Sequence, residues 1–258
     1  MQNVALMRYF KPLPHVHYFM ITRNILTSLG LLATLAFTEE SIPVNSGDRP
    51  VAIQLKTSQT DGWKPLFNGN NLDGWKHVGK GKMLVEKGMI RGSGGMGLLY
   101  WSKEKLSNCT LRVVYRMQKE NSNSGVYIRI PLEPREEWMP VHYGYEVQID
   151  NHPETSNEDE YHVTGTLYSL TKPLAKPGKP GPQWNTMDIT LNGPRTIVSV
   201  NGVKVTDYRE GDPVPPRKFD FEPYHGLRPD TGYIGLQNHG KNDVVYFKEV
   251  SVKPLVRK

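Results

Sequence analysis

Around residue 146 the chain reads Tyr145-Glu-Val-Gln-Ile-Asp150, with polar and apolar side chains alternating. In a strand this places Glu146, Gln148 and Asp150 on one face and Tyr145, Val147 and Ile149 on the other. Two more segments repeat the pattern: Tyr127 and Arg129 oppose Val126, Ile128 and Ile130, while Gly235, Gln237 and His239 oppose Ile234 and Leu236. If the three strands are neighbours in one curved sheet, Arg129, Glu146, Gln148, Gln237 and His239 meet on its concave face, and Gly235 leaves room for a ligand. A carboxyl, an imidazole, a guanidinium and two amides can together bind hydroxyls and move protons. They do not make an ordinary two-carboxylate glycosidase, which needs its carboxyl groups about 5 to 9.5 Å apart. Glu146 and Asp150 stand roughly 13 Å apart along an extended strand. Between them lies Gln148, whose amide cannot donate a catalytic proton.

The elements that must carry these residues are strands. Residues 111–117, 125–130, 145–149, 188–191, 196–200, 233–237 and 244–247 are rich in β-branched and aromatic side chains. Asn192-Gly193 and Asn201-Gly202 stand where two-residue hairpin turns are expected, since both residue types accept positive φ. No stretch beyond residue 60 keeps a helical period, and 24 Gly with 20 Pro in 258 residues argue against a helical bundle. The expected fold class is all-β, a sandwich or jelly roll of antiparallel sheets. Three segments are too long for tight turns: the acidic 153–162, the Pro/Gly/Lys-rich 172–183 and the proline-rich 209–230. Long ordered loops on a sandwich rim its site.

The lone cysteine, Cys109, excludes an intramolecular disulfide framework and any multi-cysteine metal centre. The net charge of +6 includes Arg8, Lys11 and Arg23 near the start, so the rest of the chain carries too small a surplus to imply nucleic acid as a partner. Residues 25–37 read ILTSLGLLATLAF, an uncharged apolar run after Arg23 and before Glu39-Glu40. It has the shape of a secretory signal and is too short to span a bilayer comfortably. The expected organisation is a signal segment at 1–37, a polar linker at 38–60 and one folded domain at 61–258. The mature protein is expected to be exported, periplasmic or extracellular, without stable membrane insertion after processing. Nothing in the sequence fixes an oligomeric state.

Six motifs occur together and in order: Pro65-Leu-Phe-Asn-Gly-Asn-Asn-Leu-Asp-Gly-Trp75, Asn123-Ser-Gly-Val-Tyr-Ile-Arg129, Gly144-Tyr-Glu-Val-Gln-Ile-Asp150, Gln183-Trp-Asn185, Val200-Asn-Gly-Val203 and Gly232-Tyr-Ile-Gly-Leu-Gln-Asn-His-Gly240. The set resembles the 3-keto-disaccharide hydrolase family over about residues 61 to 255. That resemblance implies a concanavalin A-like jelly roll acting on 3-keto glycosides, sugars already oxidised at C3 by a separate oxidoreductase. The acidic insertion after Asn151 and the proline-rich loop before Gly232 depart from the family pattern and bear on substrate preference.

A ketone at C3 acidifies the hydrogen on C2. Removing that proton lets the C1 substituent leave by β-elimination, and water then adds to the unsaturated sugar. Such a site needs a base near C2, an electrophile at the C3 oxygen and a proton donor at the leaving oxygen. Glu146 or His239 is the expected base and the other of the pair the acid; Arg129 or a divalent metal ion is the expected electrophile. Asp150 and His152 are the candidate metal ligands, oxygen and imidazole donors that join Glu146 and His239. Gln148, Gln237, Asn123, Tyr127 and Tyr168 are the expected partners of the carbohydrate substrate. His142, His152 and His162 recur every ten residues, a spacing that matches no ligand signature, and read as loop histidines. Trp63, Trp75 and Trp184 lie near strand ends and read as core ahead of sugar platforms. The rival from another class is a non-catalytic carbohydrate-binding module, and a second is a conventional endoglycanase of the same fold. Two acids and a histidine on one cleft favour the enzyme over the module, and Gln148 at the strand's centre weighs against the endoglycanase.

Overall fold

The computed structural model describes residues 61–153 and 160–256. The expected signal segment and linker lie outside the described residues, as do positions 154–159 within the acidic loop. The strands are β1 (Lys64–Pro65), β2 (Trp75–Gly79), β3 (Lys82–Glu86), β4 (Met89–Ser93), β5 (Gly97–Trp101), β6 (Cys109–Met117), β7 (Ser124–Ile130), β8 (Tyr145–Ile149), β9 (Asn185–Asn192), β10 (Arg195–Val200), β11 (Val203–Arg209), β12 (Tyr233–Asn238) and β13 (Val245–Pro254). Among the described residues a short α-helix, α1 (Met139–Tyr143), lies between β7 and β8, and a single 3-10 turn spans Glu160–His162.

The strands form two antiparallel sheets. The larger has eight strands in the order β11-β10-β9-β6-β13-β4-β3, with β1 also paired to β13; the smaller has five, ordered β2-β5-β12-β7-β8. The three strands singled out by alternation, β12, β7 and β8, are therefore adjacent. Leu111, Val113 and Tyr115 of β6, Ile189 of β9 and Phe247 of β13 share one apolar core with Val126, Ile128, Val147, Ile149, Ile234 and Leu236 of the smaller sheet.

The two sheets differ on their outer faces. In β9 and β10 buried positions alternate with half-exposed ones, the signature of one solvated face. In β5, β7 and β8 every residue is buried, so the smaller sheet is covered on both sides along these strands, while β2 at its edge is largely exposed. Leu98, Tyr100, Tyr127, Ile130 and Val141 of α1 build a second apolar cluster on that outer face. Polar Glu146, Gln148 and Gln237 are carried into the same layer, at 4, 3 and 3 % exposure. Buried polar side chains are the informative exception in a fold stabilised by apolar burial.

The segment after β8 caps that strand's free edge. Gly165 and Tyr168 donate backbone N–H groups to the carbonyls of Gln148 and Glu146, both at 2.9 Å, and Gln148 N donates to Thr166 O at 3.0 Å. An edge satisfied in this way cannot pair with another chain. It also brings His162 and Tyr168 beside Glu146. Of the two expected hairpin turns, Asn201-Gly202 forms with φ of 50° and 80° between paired Val200 and Val203. The other is shifted by one residue: Asn192 ends β9 paired to Arg195, and Gly193-Pro194 makes the turn with φ 52° at the glycine. Glycine supplies the positive φ there without a Cβ penalty, and Pro194 has no N–H to lose from a ladder.

Candidate active site

A cavity of about 410 Å³ opens on the outer face of the five-stranded sheet. Glu146 and Gln148 of β8 and Gln237 of β12 line it from the strands, while Asn123, Asp150 and His239 line it from the positions where β7 begins and β8 and β12 end. Met96, Trp138, Val141, His162, Tyr168 and Phe221 complete the wall.

Glu146 sits where a neighbouring strand has no side chain. A Cβ at Gly125 would lie 2.4 Å from Glu146 Oε1, so the carboxyl group occupies the space that the glycine leaves. The Tyr127 hydroxyl and the Gln237 amide hydrogen-bond to it. Gln237 Nε2 also donates to Tyr127 Oη at 2.6 Å, which leaves the tyrosine proton for the carboxylate. Burial raises the Glu146 pKa to about 7, against the opposing pull of the His239 charge and of those two hydrogen bonds. Burial likewise holds the Tyr127 hydroxyl well above its ordinary value, so it stays a donor.

His239 is half exposed, and its Nδ1 lies 3.0 Å from Asp243 Oδ2. Burial works against the imidazolium, but the Asp243 hydrogen bond and the charges of Glu146, Asp243 and Asp150 outweigh it and raise the His239 pKa. Asp243 is fixed in turn by backbone N–H groups of Asn123 at 3.1 Å and Gly240 at 2.7 Å. A carboxylate on Nδ1 sets the ring's orientation and leaves Nε2 for a substrate.

Three amide oxygens on the cavity wall, Asn123 Oδ1, Gln148 Oε1 and Gln237 Oε1, are buried without a hydrogen-bond partner. An unsatisfied buried acceptor costs about 1–3 kcal/mol. Hydroxyl donors of a sugar would remove that cost, and the three oxygens lie on the same cavity as Glu146 and His239.

Of the residues expected from the sequence, Glu146, His239, Gln148, Gln237, Asn123, Tyr168 and Asp150 line this one cavity. Tyr127 lies beneath it, fully buried, and reaches Glu146 instead of the open space. Arg129 is elsewhere. Between Tyr233 and Gly235 the register of β12 on β7 shifts, so that Ile234 alone faces both Ile128 and Arg129. This bulge, with φ 54° at Arg129, breaks the alternation and turns the guanidinium out of the site. Its donors go to Thr196 Oγ1 at 3.2 Å and to the carbonyls of Pro229, Gly193 and Arg195 at 3.1, 2.7 and 3.3 Å. The expected electrophile is thus a buried structural anchor. Gly235 leaves no ligand space either, because a Cβ there would meet Leu98 Cδ1 at 2.5 Å.

The expected metal pair does not form. The His152 imidazole turns to Glu120 at 2.8 Å and lines a neighbouring cavity, while the Asp150 carboxylate accepts Asn123 Nδ2 at 3.1 Å and the His152 backbone N–H at 2.9 Å. Among the described residues no three His, Cys, Asp or Glu side chains gather as a metal-binding group. The chemistry below is derived from the chain's own proton donors and acceptors. Trp75 packs in the core with its indole N–H on Leu66 O, and Trp63 and Trp184 lie under Arg112 and Lys248, away from the cavity. Cys109 is buried, its thiol pKa pushed up to about 11 by that burial, and it takes no part. Sequence reasoning missed Trp138, Phe221, Met96, Val141 and His162 as wall residues; Phe221 and His162 lie in long segments expected to rim a site, and Met96, Trp138 and Val141 carried no such signal.

Residues 62–253 match the family model described as a 3-keto-alpha-glucoside-1,2-lyase-like domain. A 3-keto-disaccharide hydrolase from Bacteroides thetaiotaomicron is 26% identical over 242 residues, covering 79% of this chain and 82% of that protein. The crystal structure of a candidate glycosyl hydrolase from Parabacteroides distasonis superposes with a TM-score of 0.63 at 24% identity, over 76% of this chain and 95% of the other. A protein of galectin-like fold from Bacillus subtilis superposes at 0.53 with 12% identity, over 76% and 96%. At such identities the two structures speak to the fold, and they agree with the jelly-roll sandwich of two antiparallel sheets found here. With the family model matched from 62 to 253, the chain belongs to the 3-keto-alpha-glucoside-1,2-lyase-like family.

Proposed function

We propose that this protein cleaves the glycosidic bond of 3-keto glycosides by abstracting the C2 proton, expelling the C1 substituent and hydrating the unsaturated sugar. The observation that carries the reading is the Glu146–His239 pair on one cavity, with proton affinities shifted to suit a base and an acid. With a pKa of about 7, Glu146 is ionised in a large fraction of molecules near neutrality and still binds a proton tightly. The Asp243 hydrogen bond and the neighbouring carboxylates raise the His239 pKa, which favours the protonated ring needed of an acid.

Glu146 takes the C2 proton, and the electron pair passes to the C3 oxygen as an enolate. The enolate then collapses: the C1–O bond breaks, and the leaving oxygen keeps the bonding pair and receives a proton from His239. Neutral His239 next accepts a proton from the water that attacks C1 of the enone, and Glu146 returns its proton to C2. Both groups end as they began, and no oxidant is consumed because the ketone arrives with the substrate. Tyr127 and Gln237 steady the carboxylate, and Gln148 and Asn123 take sugar hydroxyls. The family and the name of the Bacteroides relative support the substrate class.

The test is to incubate the protein with a 3-keto glucoside, with its C2-deuterated form and with the unoxidised parent. Turnover of the keto sugar alone, with a primary isotope effect or solvent exchange at C2, is the expected result. Turnover of the parent would indicate a direct glycosidase, binding without turnover a carbohydrate-binding module, and neither effect at C2 a direct displacement; each would overturn the reading. Export is part of the proposal, from the apolar run at 25–37. A mature N-terminus between about residues 34 and 45 is expected, and mass spectrometry of exported protein showing an intact Met1 or Met20 would reject it.

A further inference from the structure

We infer that the apolar part of the cavity wall is a subsite for an aromatic leaving group, so that 3-keto glycosides of aryl or arylmethyl alcohols are better substrates here than 3-keto disaccharides. This rests on the reading above of which bond is broken. The lining is of two kinds: carboxyl, amide and imidazole groups from the strands and strand ends, joined by His162 and Tyr168 from the segment after β8, and Met96, Trp138, Val141 and Phe221, which supply ring faces, a thioether and a branched aliphatic.

Trp138 and Phe221 are 42 and 47 % exposed, large aromatic side chains left in water at the wall of a site. Neither hangs free. The Trp138 backbone N–H is held by Glu136 at 2.8 Å, and its indole stacks on the His142 ring with centroids 6.3 Å apart. His142 in turn stacks on Tyr224 at 4.7 Å. Phe221 lies parallel to Phe219 at 5.0 Å and 10°. The turn that carries it is braced by the buried Glu222 carboxylate, which accepts the backbone N–H groups of Lys218 and Phe219 and the hydroxyl of Ser169. His142 Nε2 meets the Asp220 carbonyl at 3.2 Å and so ties the two walls together. Exposed aromatics held in place by their own supports are a prepared contact surface, because little conformational freedom is lost when a ligand arrives.

The occupant follows from what this wall lacks. A second sugar brings several hydroxyl groups, each of which loses hydrogen bonds with water and needs a partner if it is enclosed. Trp138, Phe221, Val141 and Met96 offer such groups almost nothing, but they suit an aromatic ring through offset stacking and sulfur contact. The reacting sugar keeps the polar side of the cavity, and the aromatic alcohol leaves from the other, protonated by His239 as above.

The experiment compares methyl, benzyl and glucosyl 3-keto glucosides of one anomer; the methyl and benzyl alcohols leave with similar ease, so KM reports contact with the wall. The expected KM for the benzyl compound is about tenfold below the other two, about 1.4 kcal/mol. In Trp138→Ala and Phe221→Ala the benzyl-to-methyl ratio of kcat/KM should fall about tenfold, and Trp138→Phe should restore most of it. Both positions are exposed, so thermal melts close to that of the parent protein are expected. A glucosyl KM equal to or below the benzyl KM, or a ratio indifferent to both alanine substitutions, would overturn the subsite while leaving the elimination chemistry standing. Failure of all three substrates would overturn the underlying reading and the subsite with it.

Discussion

Glu146 is a costly residue to keep. Its pKa rises from 4.5 to about 7 on folding, so the folded protein binds that proton more tightly than the unfolded chain does. Between those two pH values the folded state carries more protons, and stability therefore falls as pH rises from about 4.5 to about 7, then levels off. The full penalty is on the order of 3 kcal/mol. Glu146→Gln keeps the shape and removes the titration, so the variant should melt above the parent protein at pH 8 and show little advantage at pH 5. Thermal melts at the two pH values check this; an equal shift at both would mean that the carboxyl carries no such penalty. The same substitution should lower kcat by about 10² or more with substrate affinity within a few fold. The pH profile of kcat/KM should rise near pH 7 as Glu146 ionises and fall again above the ordinary histidine range as His239 loses its proton. His239→Ala should remove the alkaline fall along with most of the rate.

At the scale of elements, the site depends on β7 giving way to β8. A Cβ at Gly125 would stand 2.4, 2.7 and 2.9 Å from Oε1, Cγ and Cδ of Glu146, and the backbones are held by the Gly125–Gln148 pairing. Gly125→Ala must therefore displace the carboxyl group. We expect a folded protein with kcat reduced about tenfold or more. The thermal destabilisation should shrink in the Glu146→Ala background, the non-additivity that marks a direct contact. An unchanged cost in that background would place the strain elsewhere. The alternation that revealed Glu146 and Gln148 is a local property of one strand, and it was legible in the sequence. So was the company of β12, since Gly232 to Gly240 carries the same pattern. The Arg129 bulge was not legible, because it exists only in the register of β7 against a strand more than a hundred residues away. Nor were β2 to β5 marked out as strands: Lys82-Met-Leu-Val-Glu86 and Met89-Ile-Arg-Gly-Ser93 are short, and their stability comes from pairing with each other and with β13. Trp138 and Phe221 sit in segments without periodicity, so pattern could not place them.

For the molecule as a whole, the question is how two sheets that share only an apolar core keep a cavity in fixed shape. Two side chains of the smaller sheet reach the backbone of the larger. Asn238, at the end of β12, donates Nδ2 to the carbonyls of Lys82 and Ser93 at 2.9 and 3.1 Å. Arg129, at the other end of β7, donates to Thr196 and to the carbonyls of Gly193 and Arg195 in the β9–β10 hairpin. Within the smaller sheet the chain entering β12 passes close to β7 at this point, since a Cβ on Gly232 would lie 2.4 Å from Arg129 Cα. The nearby Asp230 carboxylate is 3.5 Å away but largely exposed, so carbonyl oxygens do most of the work of holding the buried guanidinium. Arg129→Ala leaves those oxygens without donors and should cost about 3–5 kcal/mol of stability. Arg129→Lys keeps the charge, reaches fewer acceptors and should lose an intermediate amount. Assayed well below its melting temperature, each variant should keep kcat per folded molecule within about twofold, because the guanidinium does not touch the substrate. A hundredfold loss of kcat in a variant that melts normally would instead put Arg129 at the C3 oxygen, and β7 would then have to run past β12 without its bulge.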